Sequence, residues 1–69
     1  MAKVYAVTKV VGTSKTSIED AIQTAIATAS QTLKNLDWFE VNETRGYIED
    51  GKVAYYQVAL EIGFRYEKK

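Results

Sequence analysis

Alternating apolar and polar residues predict three strands, over Lys3–Val11, Asp37–Tyr47 and Val53–Tyr66. The last strand is the most regular, because every second residue from Ala54 to Tyr66 is apolar. Gly12-Thr13-Ser14 carries turn chemistry and is expected to end the first strand. Asp50-Gly51 lies between two strand patterns and is a strong hairpin signal, so the last two strands are predicted to be antiparallel neighbours.

A helical period separates the first two strands. Thr16 and Glu19 have the spacing of a capping box, with Ser17 as an alternative N-cap. Beyond them, apolar residues recur every three or four positions, at Ile18, Ala21, Ile22, Ala25, Ile26, Ala29, Leu33 and Leu36. This stripe predicts one helix of about 19 residues, roughly 28 Å long. Asn35, near the predicted end, tolerates the left-handed conformation that terminates many helices.

The order strand, helix, strand, strand predicts an α+β fold of the type β-α-β-β. The apolar face of the third strand is expected to cover the helix stripe. The opposite face of that strand is mixed and suits contact with a ligand or another subunit; it comprises Tyr55, Gln57, Ala59, Glu61, Gly63 and Arg65. A small sheet with one bare face and exposed edges favours oligomerisation.

Size and composition strengthen this expectation of self-association. The chain has 69 residues, and residues 1–69 are interpreted as a single domain. A core of this size is marginal and usually needs disulfides, a metal or association with other copies. Because the sequence contains no Cys and no His, disulfides and thiolate or imidazole metal ligands are excluded. Self-association is what remains, and no metal site is expected.

Charge and hydropathy narrow the range of partners. The nine basic and nine acidic residues balance without forming a basic block, which argues against nucleic acid. No apolar run approaches the roughly 20 residues that span a bilayer, and the sequence begins without the apolar core of a signal peptide. We therefore expect a cytoplasmic protein with no membrane partner, ending in a charged segment, Glu67-Lys68-Lys69.

The candidate chemistry is binding rather than catalysis. Without His or Cys there is no ordinary pair of nucleophile and base, so no catalytic residue is expected. Trp38 offers a plane for stacking, and Gln57 offers an amide that suits a ring with a carbonyl beside an N–H group. Arg45 and Arg65 offer planar cations for a phosphate or carboxylate. The alternative for Trp38 is an ordinary core aromatic.

Strand alternation bears on which of these residues can act together. It allows Trp38 and Gln57 to lie on the same face of neighbouring strands. Arg45 falls on the other face unless Gly46 marks a bulge that redirects it. The alternation alone therefore leaves open whether Arg45 belongs to the same site.

Several motifs, taken together, resemble the dodecin family of small flavin-binding proteins. They are Val11–Ser14, the alanine-rich helix, Thr32–Val41, Arg45-Gly46, Tyr56–Val58 and Gly63–Arg65. The similarity extends over nearly the whole chain. It implies a β-α-β-β fold in which a three-stranded antiparallel sheet wraps around one long helix, and it implies assembly as a hollow homo-dodecamer.

The resemblance also implies a role for each candidate residue. Trp38 matches the tryptophan that, with its copy across a two-fold axis, sandwiches two stacked flavins. Gln57 matches the glutamine that hydrogen-bonds the polar edge of the flavin ring. Arg45 and Arg65 match arginines near the ribityl-phosphate end or at a coenzyme A site. The implied ligand is FMN, riboflavin or FAD, with coenzyme A as a second ligand, and the implied role is flavin storage, buffering and photoprotection.

Two other functions stay open at this point. A flavin-dependent oxidoreductase would need an open ring face and a proton donor, for which Tyr55 or Glu40 would have to serve. A purely structural, self-assembling shell would use Trp38 only to fill an interface. A ring closed on both faces favours sequestration, because it leaves no room for a substrate.

Overall fold

The computed structural model describes residues 3–66 and has the predicted β-α-β-β order. Its elements are β1 Tyr5–Ser14, α1 Ile18–Ala29, β2 Leu36–Glu49 and β3 Lys52–Arg65. The three strands form one antiparallel sheet in the order β1-β3-β2, so β3 is central and the other two strands are edges. The α+β fold is therefore confirmed. The predicted charged segment at residues 67–69 lies outside the described residues.

The prediction that Gly12-Thr13-Ser14 ends the first strand is wrong, because β1 continues through these residues. Gly12, Thr13 and Ser14 extend β1 and lie opposite Val58, Gln57 and Tyr56 of β3. Gly12 is required by close approach rather than by a turn, because a Cβ at this position would lie 2.2 Å from the carbonyl oxygen of Ala21 in α1. The glycine thus lets the helix rest directly on the backbone of β1.

The helix is capped by Ser17 and not by Thr16, and its first residue is Ile18. Ser17 is the N-cap, with an extended backbone, and its Oγ accepts a hydrogen bond of 2.9 Å from the backbone N–H of Asp20. The Asp20 carboxylate in turn accepts a hydrogen bond of 2.7 Å from the hydroxyl of Ser14. The end of β1 and the start of α1 are therefore tied together by side chains.

The helix is shorter than the apolar stripe predicts, with 12 residues instead of about 19. It ends at Ala29, where the hydroxyl of Ser30 donates to the carbonyl of Ala27 at 2.8 Å and competes with helix continuation. Leu33 and Leu36 still pack against the core, but from the connection and the start of β2. An apolar stripe cannot distinguish these two arrangements, because it records only which side chains are covered.

The core lies between α1 and the central strand. Ala21, Ala25 and Ala29 of the helix pack against Val58, Leu60 and Ile62, whose side chains are almost completely buried. The small alanine side chains allow this close packing of helix and sheet. As predicted, alternate residues of β3 cover the helix stripe.

Two extra residues change the alternation of β2. Leu36 lies opposite Phe64 and Trp38 lies opposite Gly63, so Asp37 is an extra residue in the ladder. Similarly, Val41 lies opposite Leu60 and Glu43 opposite Ala59, so Asn42 is extra. A third irregularity falls between Tyr47 and Ile48. Gly46 pairs regularly with Tyr56, so the bulge that the sequence left open at Gly46 is not present.

One protomer leaves many apolar side chains uncovered. The described residues extend over 53 × 20 × 13 Å, and the hairpin of β2 and β3 continues past Tyr56, where the pairing of β3 with β1 ends. Exposed apolar residues on this hairpin are Phe39, Val41, Ile48 and Val53. Such a surface is typical of a protein that associates with other copies. Among the described residues, no helix is long and apolar enough to cross a bilayer.

Candidate functional site

The candidate site residues lie on the open face, which we define as the sheet surface pointing away from α1. Residues opposite each other in an antiparallel ladder point to the same side. Trp38 lies opposite Gly63 and Arg45 lies opposite Gln57, while Tyr5 of β1 lies opposite Arg65. All four sequence-predicted residues therefore share the open face. Arg45 reaches it because of the extra residue Asn42 and not because of Gly46.

The indole of Trp38 covers Gly63. A Cβ built on Gly63 would lie 2.1 Å from Cε2 of Trp38 and 2.2 Å from Cζ2, so only glycine accommodates the ring there. Trp38 is nevertheless 42% exposed. The ring therefore rests on the sheet and presents its remaining surface outward, which excludes the alternative of an ordinary core aromatic.

Tyr5 and Asp37 flank this indole. The ring centroids of Tyr5 and Trp38 are 6.3 Å apart, and the two ring planes are tilted by 59°. In addition, the hydroxyl of Tyr5 donates a hydrogen bond of 3.0 Å to Oδ2 of Asp37. This hydrogen bond raises the pKa of Tyr5, with smaller contributions from desolvation and the Asp37 charge, while the Arg65 charge acts in the opposite direction.

Gln57 lies within a second polar group at the other end of the open face. Its Oε1 accepts a hydrogen bond of 2.8 Å from Nη1 of Arg45 and a longer one of 3.4 Å from the hydroxyl of Tyr47. Arg45 also forms an ion pair with Glu43 through Nη2. Because a guanidinium only donates, the amide oxygen of Gln57 must face Arg45, and its NH₂ group is directed elsewhere.

A groove runs beside this second group. Its volume is about 390 Å³, and it is lined by Thr13, Ser14, Lys15, Tyr55 and Gln57. Tyr55 is stacked on Tyr47, with ring centroids 4.7 Å apart. The groove therefore combines a polar amide, a lysine and an aromatic surface next to Arg45.

The four predicted residues do not converge within one protomer. Trp38 and Arg65 lie near Gly63, whereas Gln57 and Arg45 lie six residues away along β3. At about 3.4 Å per residue, the two groups are roughly 20 Å apart. One chain thus carries two half-sites on a common face, and we call these the Trp38 end and the Gln57 end.

Several residues at these ends were missed by the sequence reasoning. The sequence did not predict as site residues Tyr5 and Asp37 beside Trp38, or Glu43 and Tyr47 beside Arg45 and Gln57. Tyr5 could have been found only by knowing that β1 pairs with β3 in this register. Tyr47 and Glu43 could have been found once an extra residue was placed at Asn42.

Comparisons with known proteins show the family to which this chain belongs. The sequence model of the dodecin family matches residues 4–67. A dodecin from Thermus thermophilus is 54% identical over 68 residues, which is 99% of each chain. The crystal structure of a Thermus thermophilus protein superposes with a TM-score of 0.93 at 53% identity, covering 99% of this chain and 100% of that one.

A second solved structure gives the same result. The dodecin from Streptomyces coelicolor superposes with a TM-score of 0.91 at 54% identity and covers 97% of this chain and 96% of its own. The family match spans β1, α1, β2 and β3, including both ends of the open face. This chain therefore belongs to the dodecin family, which is known for binding flavins.

Proposed function

We propose that this protein binds flavins and stores them in stacked form, and that Trp38 is the surface on which the flavin ring stacks. The observation that carries this proposal is the position of the indole, which rests on Gly63 with 42% of the residue exposed on an open sheet face. Stacking of aromatic rings contributes about 0.5–1.5 kcal/mol beyond the burial of their area. A flat, supported, outward-facing indole suits the flat apolar faces of the isoalloxazine ring.

The proposal requires a second copy of the chain. The roughly 20 Å between the Trp38 end and the Gln57 end exceeds the length of a flavin ring system, so one protomer cannot place both residues on one ring. A complete site would combine Trp38 of one protomer with Gln57 of another. The exposed apolar residues Phe39, Val41 and Ile48 support an assembly in which copies cover one another.

Gln57 and the arginines would recognise the polar parts of the ligand. The NH₂ group of Gln57, directed away from Arg45, would donate to a ring carbonyl, and the amide oxygen would accept from the ring N–H after a shift of Arg45. Arg65, opposite Tyr5, and Arg45 would attract a phosphate. Arg45 forms an ion pair with Glu43, so a phosphate at Arg45 would compete with that carboxylate.

Sequestration suits these residues better than catalysis. The sequence contains no His or Cys, so the open face offers neither an imidazole base nor a thiol nucleophile. A bound flavin supplies a redox-active, light-absorbing ring. Trp38 in van der Waals contact can donate an electron to the excited ring and so quench it, which would protect the ligand from its own photochemistry. We therefore propose storage and photoprotection, with no enzymatic turnover.

Fluorescence titration tests this proposal. Riboflavin and FMN are added separately to ligand-free protein, and both flavin and Trp38 emission are expected to be quenched on binding. Trp38→Ala is expected to weaken binding by at least roughly tenfold, since about 1.4 kcal/mol corresponds to that factor. Tyr66→Ala, which removes another exposed aromatic residue, is the matched control and should bind normally. Equal affinity of Trp38→Ala and the parent protein would exclude the stacking proposal.

The parent protein and its variants also test the expected assembly, the phosphate contact and the two alternative functions. Light scattering of the ligand-free particle gives its mass and tests the expected dodecamer. Arg65→Ala should weaken FMN and leave riboflavin unchanged if this arginine meets the phosphate. Steady oxidation of reduced nicotinamide would favour an oxidoreductase, and an assembled particle that ignores flavin would favour a structural shell. Coenzyme A binding, the cytoplasmic location and the single-domain boundaries stay predictions from the sequence.

A further inference from the structure

We propose that Tyr5 donates an electron to Trp38 after the indole has been oxidised by one electron. Asp37 accepts the phenolic proton of Tyr5 in the same step. The proposal concerns a chemical activity of the chain itself and goes beyond flavin binding. It needs only an oxidised Trp38, whether the oxidant is a photoexcited flavin or another one-electron oxidant. Tyr5, Trp38 and Asp37 form a continuous cluster at one end of the open face.

The first supporting observation is distance. The Tyr5 and Trp38 rings have centroids 6.3 Å apart on the open face, where Tyr5 lies opposite Arg65 and Trp38 lies opposite Gly63, which has no side chain. Electron transfer between aromatic rings at this separation needs no intermediate carrier. The tilt of 59° leaves the ring edges close together.

The second observation is the proton acceptor. A phenol becomes strongly acidic when it loses an electron, and its oxidation is favourable at neutral pH only when the proton can leave at the same time. The Tyr5 hydroxyl already donates to Oδ2 of Asp37 at 3.0 Å, which is within normal hydrogen-bond distance. Among the tyrosines of the described residues, this phenol is the one that donates to a carboxylate.

The step balances without any further reactant. One electron passes from the Tyr5 ring to the indole radical cation of Trp38, the O–H bond of Tyr5 breaks, and its proton moves to Asp37. The products are a neutral indole, a neutral phenoxyl radical and a protonated carboxyl group. Tyr5 is 37% exposed, so a thiol or ascorbate-type reductant in solution can then reduce the phenoxyl radical, while Asp37 returns the proton.

The consequence for the protein is repair of a residue that has no substitute. Trp38 is the one tryptophan of the chain, and irreversible oxidation of its ring would remove the stacking surface of the site. Moving the radical to Tyr5 restores the indole and places the damage on a residue whose reduced form is easily regenerated.

Pulse radiolysis of the ligand-free particle tests the relay without any flavin. Azide radicals oxidise the indole selectively, and the absorption of the tryptophan radical is then followed together with that of the tyrosine radical. We expect first-order conversion of the first into the second, at a rate independent of protein concentration and slower in D₂O. Tyr5→Phe, which keeps the ring and loses the hydroxyl, should abolish the conversion.

Two further variants complete the test. Asp37→Asn keeps a hydrogen-bond acceptor but lacks the basic carboxylate, and it should slow the conversion. Tyr56→Phe, on the opposite face of β3 and paired with Ser14, is the matched control and should convert like the parent protein. Conversion at the parental rate in Tyr5→Phe, or no tyrosine radical in the parent protein, would overturn the proposal. Neither result would bear on flavin binding, because no flavin is present.

Discussion

Trp38 and Gly63 form a matched pair across two strands, in which the indole occupies the space that any side chain at residue 63 would need. The Cβ position of Gly63 lies within 2.6 Å of three ring atoms. Real Cβ atoms do not approach other atoms so closely, so the glycine fixes where the indole rests. The orientation of the candidate stacking surface is thus set by a residue that itself has no side chain.

Gly63→Ala tests this relationship. The added methyl group must push the indole off the sheet, and overpacking of this kind costs about 1–3 kcal/mol. We expect weaker flavin binding and a shift of the Trp38 emission, both measured by fluorescence titration. Gly46→Ala is the control, because its Cβ would meet only the carbonyl oxygen of Tyr55 at an ordinary 3.5 Å. Unchanged flavin binding by Gly63→Ala would show that the indole orientation is not important.

Gly12→Ala is expected to affect stability and not the site. Its Cβ would lie 2.2 Å from the carbonyl oxygen of Ala21, which belongs to the helix backbone and cannot move alone. The helix must then lift from β1, at a cost of about 1–3 kcal/mol in the free energy of unfolding. Thermal unfolding followed by circular dichroism measures the loss. A midpoint equal to that of the parent protein would contradict the close packing of α1 on β1.

Ser17→Ala and Thr16→Ala distinguish the two candidate N-caps. Ser17 accepts the hydrogen bond from the N–H of Asp20, so its loss should destabilise the protein by about 1 kcal/mol. Thr16 makes no such bond to the helix and contacts Ser14 instead, so its substitution should cost less. Denaturant unfolding of the two variants gives the comparison. The reverse order of stability would restore the capping box predicted from Thr16 and Glu19.

The pKa of Tyr5 gives a pH-dependent prediction. The raised pKa means that the protonated phenol is favoured in the folded protein, chiefly by its hydrogen bond to Asp37 and against the charge of Arg65. The stabilising contribution is therefore complete below the unfolded value of about 10 and is lost as the pH rises through the folded value.

Absorbance titration measures this effect. Phenolate formation should extend to higher pH in the parent protein than in Tyr5→Phe. In Asp37→Asn, Tyr5 still titrates, but this extension to higher pH should be lost. The gap in unfolding midpoint between the parent protein and Tyr5→Phe should narrow above about pH 10. Subtracting the Tyr5→Phe curve from the parental curve isolates the titration of Tyr5. If this difference shows a phenol of ordinary pKa, the hydrogen bond to Asp37 is not present.

Much of the fold follows from local patterns. The alternation of β3, the Asp50-Gly51 hairpin and the burial of the alanine stripe are all present in the structure. The helix length was overestimated because Leu33 and Leu36 are covered by the same core while belonging to the next segment. The prediction of a turn at Gly12 was wrong because glycine occurs both in turns and where two backbones approach closely. Only the tertiary structure distinguishes these two causes.

The site could be predicted less completely than the fold. Trp38 and Gln57 share a face as alternation indicates, but their separation along β3 depends on the register with β2. The contact of Tyr5 with Trp38 depends on which edge β1 takes, and a local pattern contains no information about strand order. Side chains that meet across strands are therefore the part that sequence reasoning misses.

The extra residue Asn42 has a consequence for how this family of sequences should be aligned. The alternation of side chains between the two faces of β2 reverses at Asn42. The side chains of Trp38 and Arg45 therefore point to the same face, although in a regular strand residues an odd number of positions apart point to opposite faces. A one-residue insertion or deletion between them would reverse the outward pattern on one side of Asn42 only. An alignment that omits this extra residue would therefore assign the side chains of half of β2 to the wrong face of the sheet and conceal half of the site.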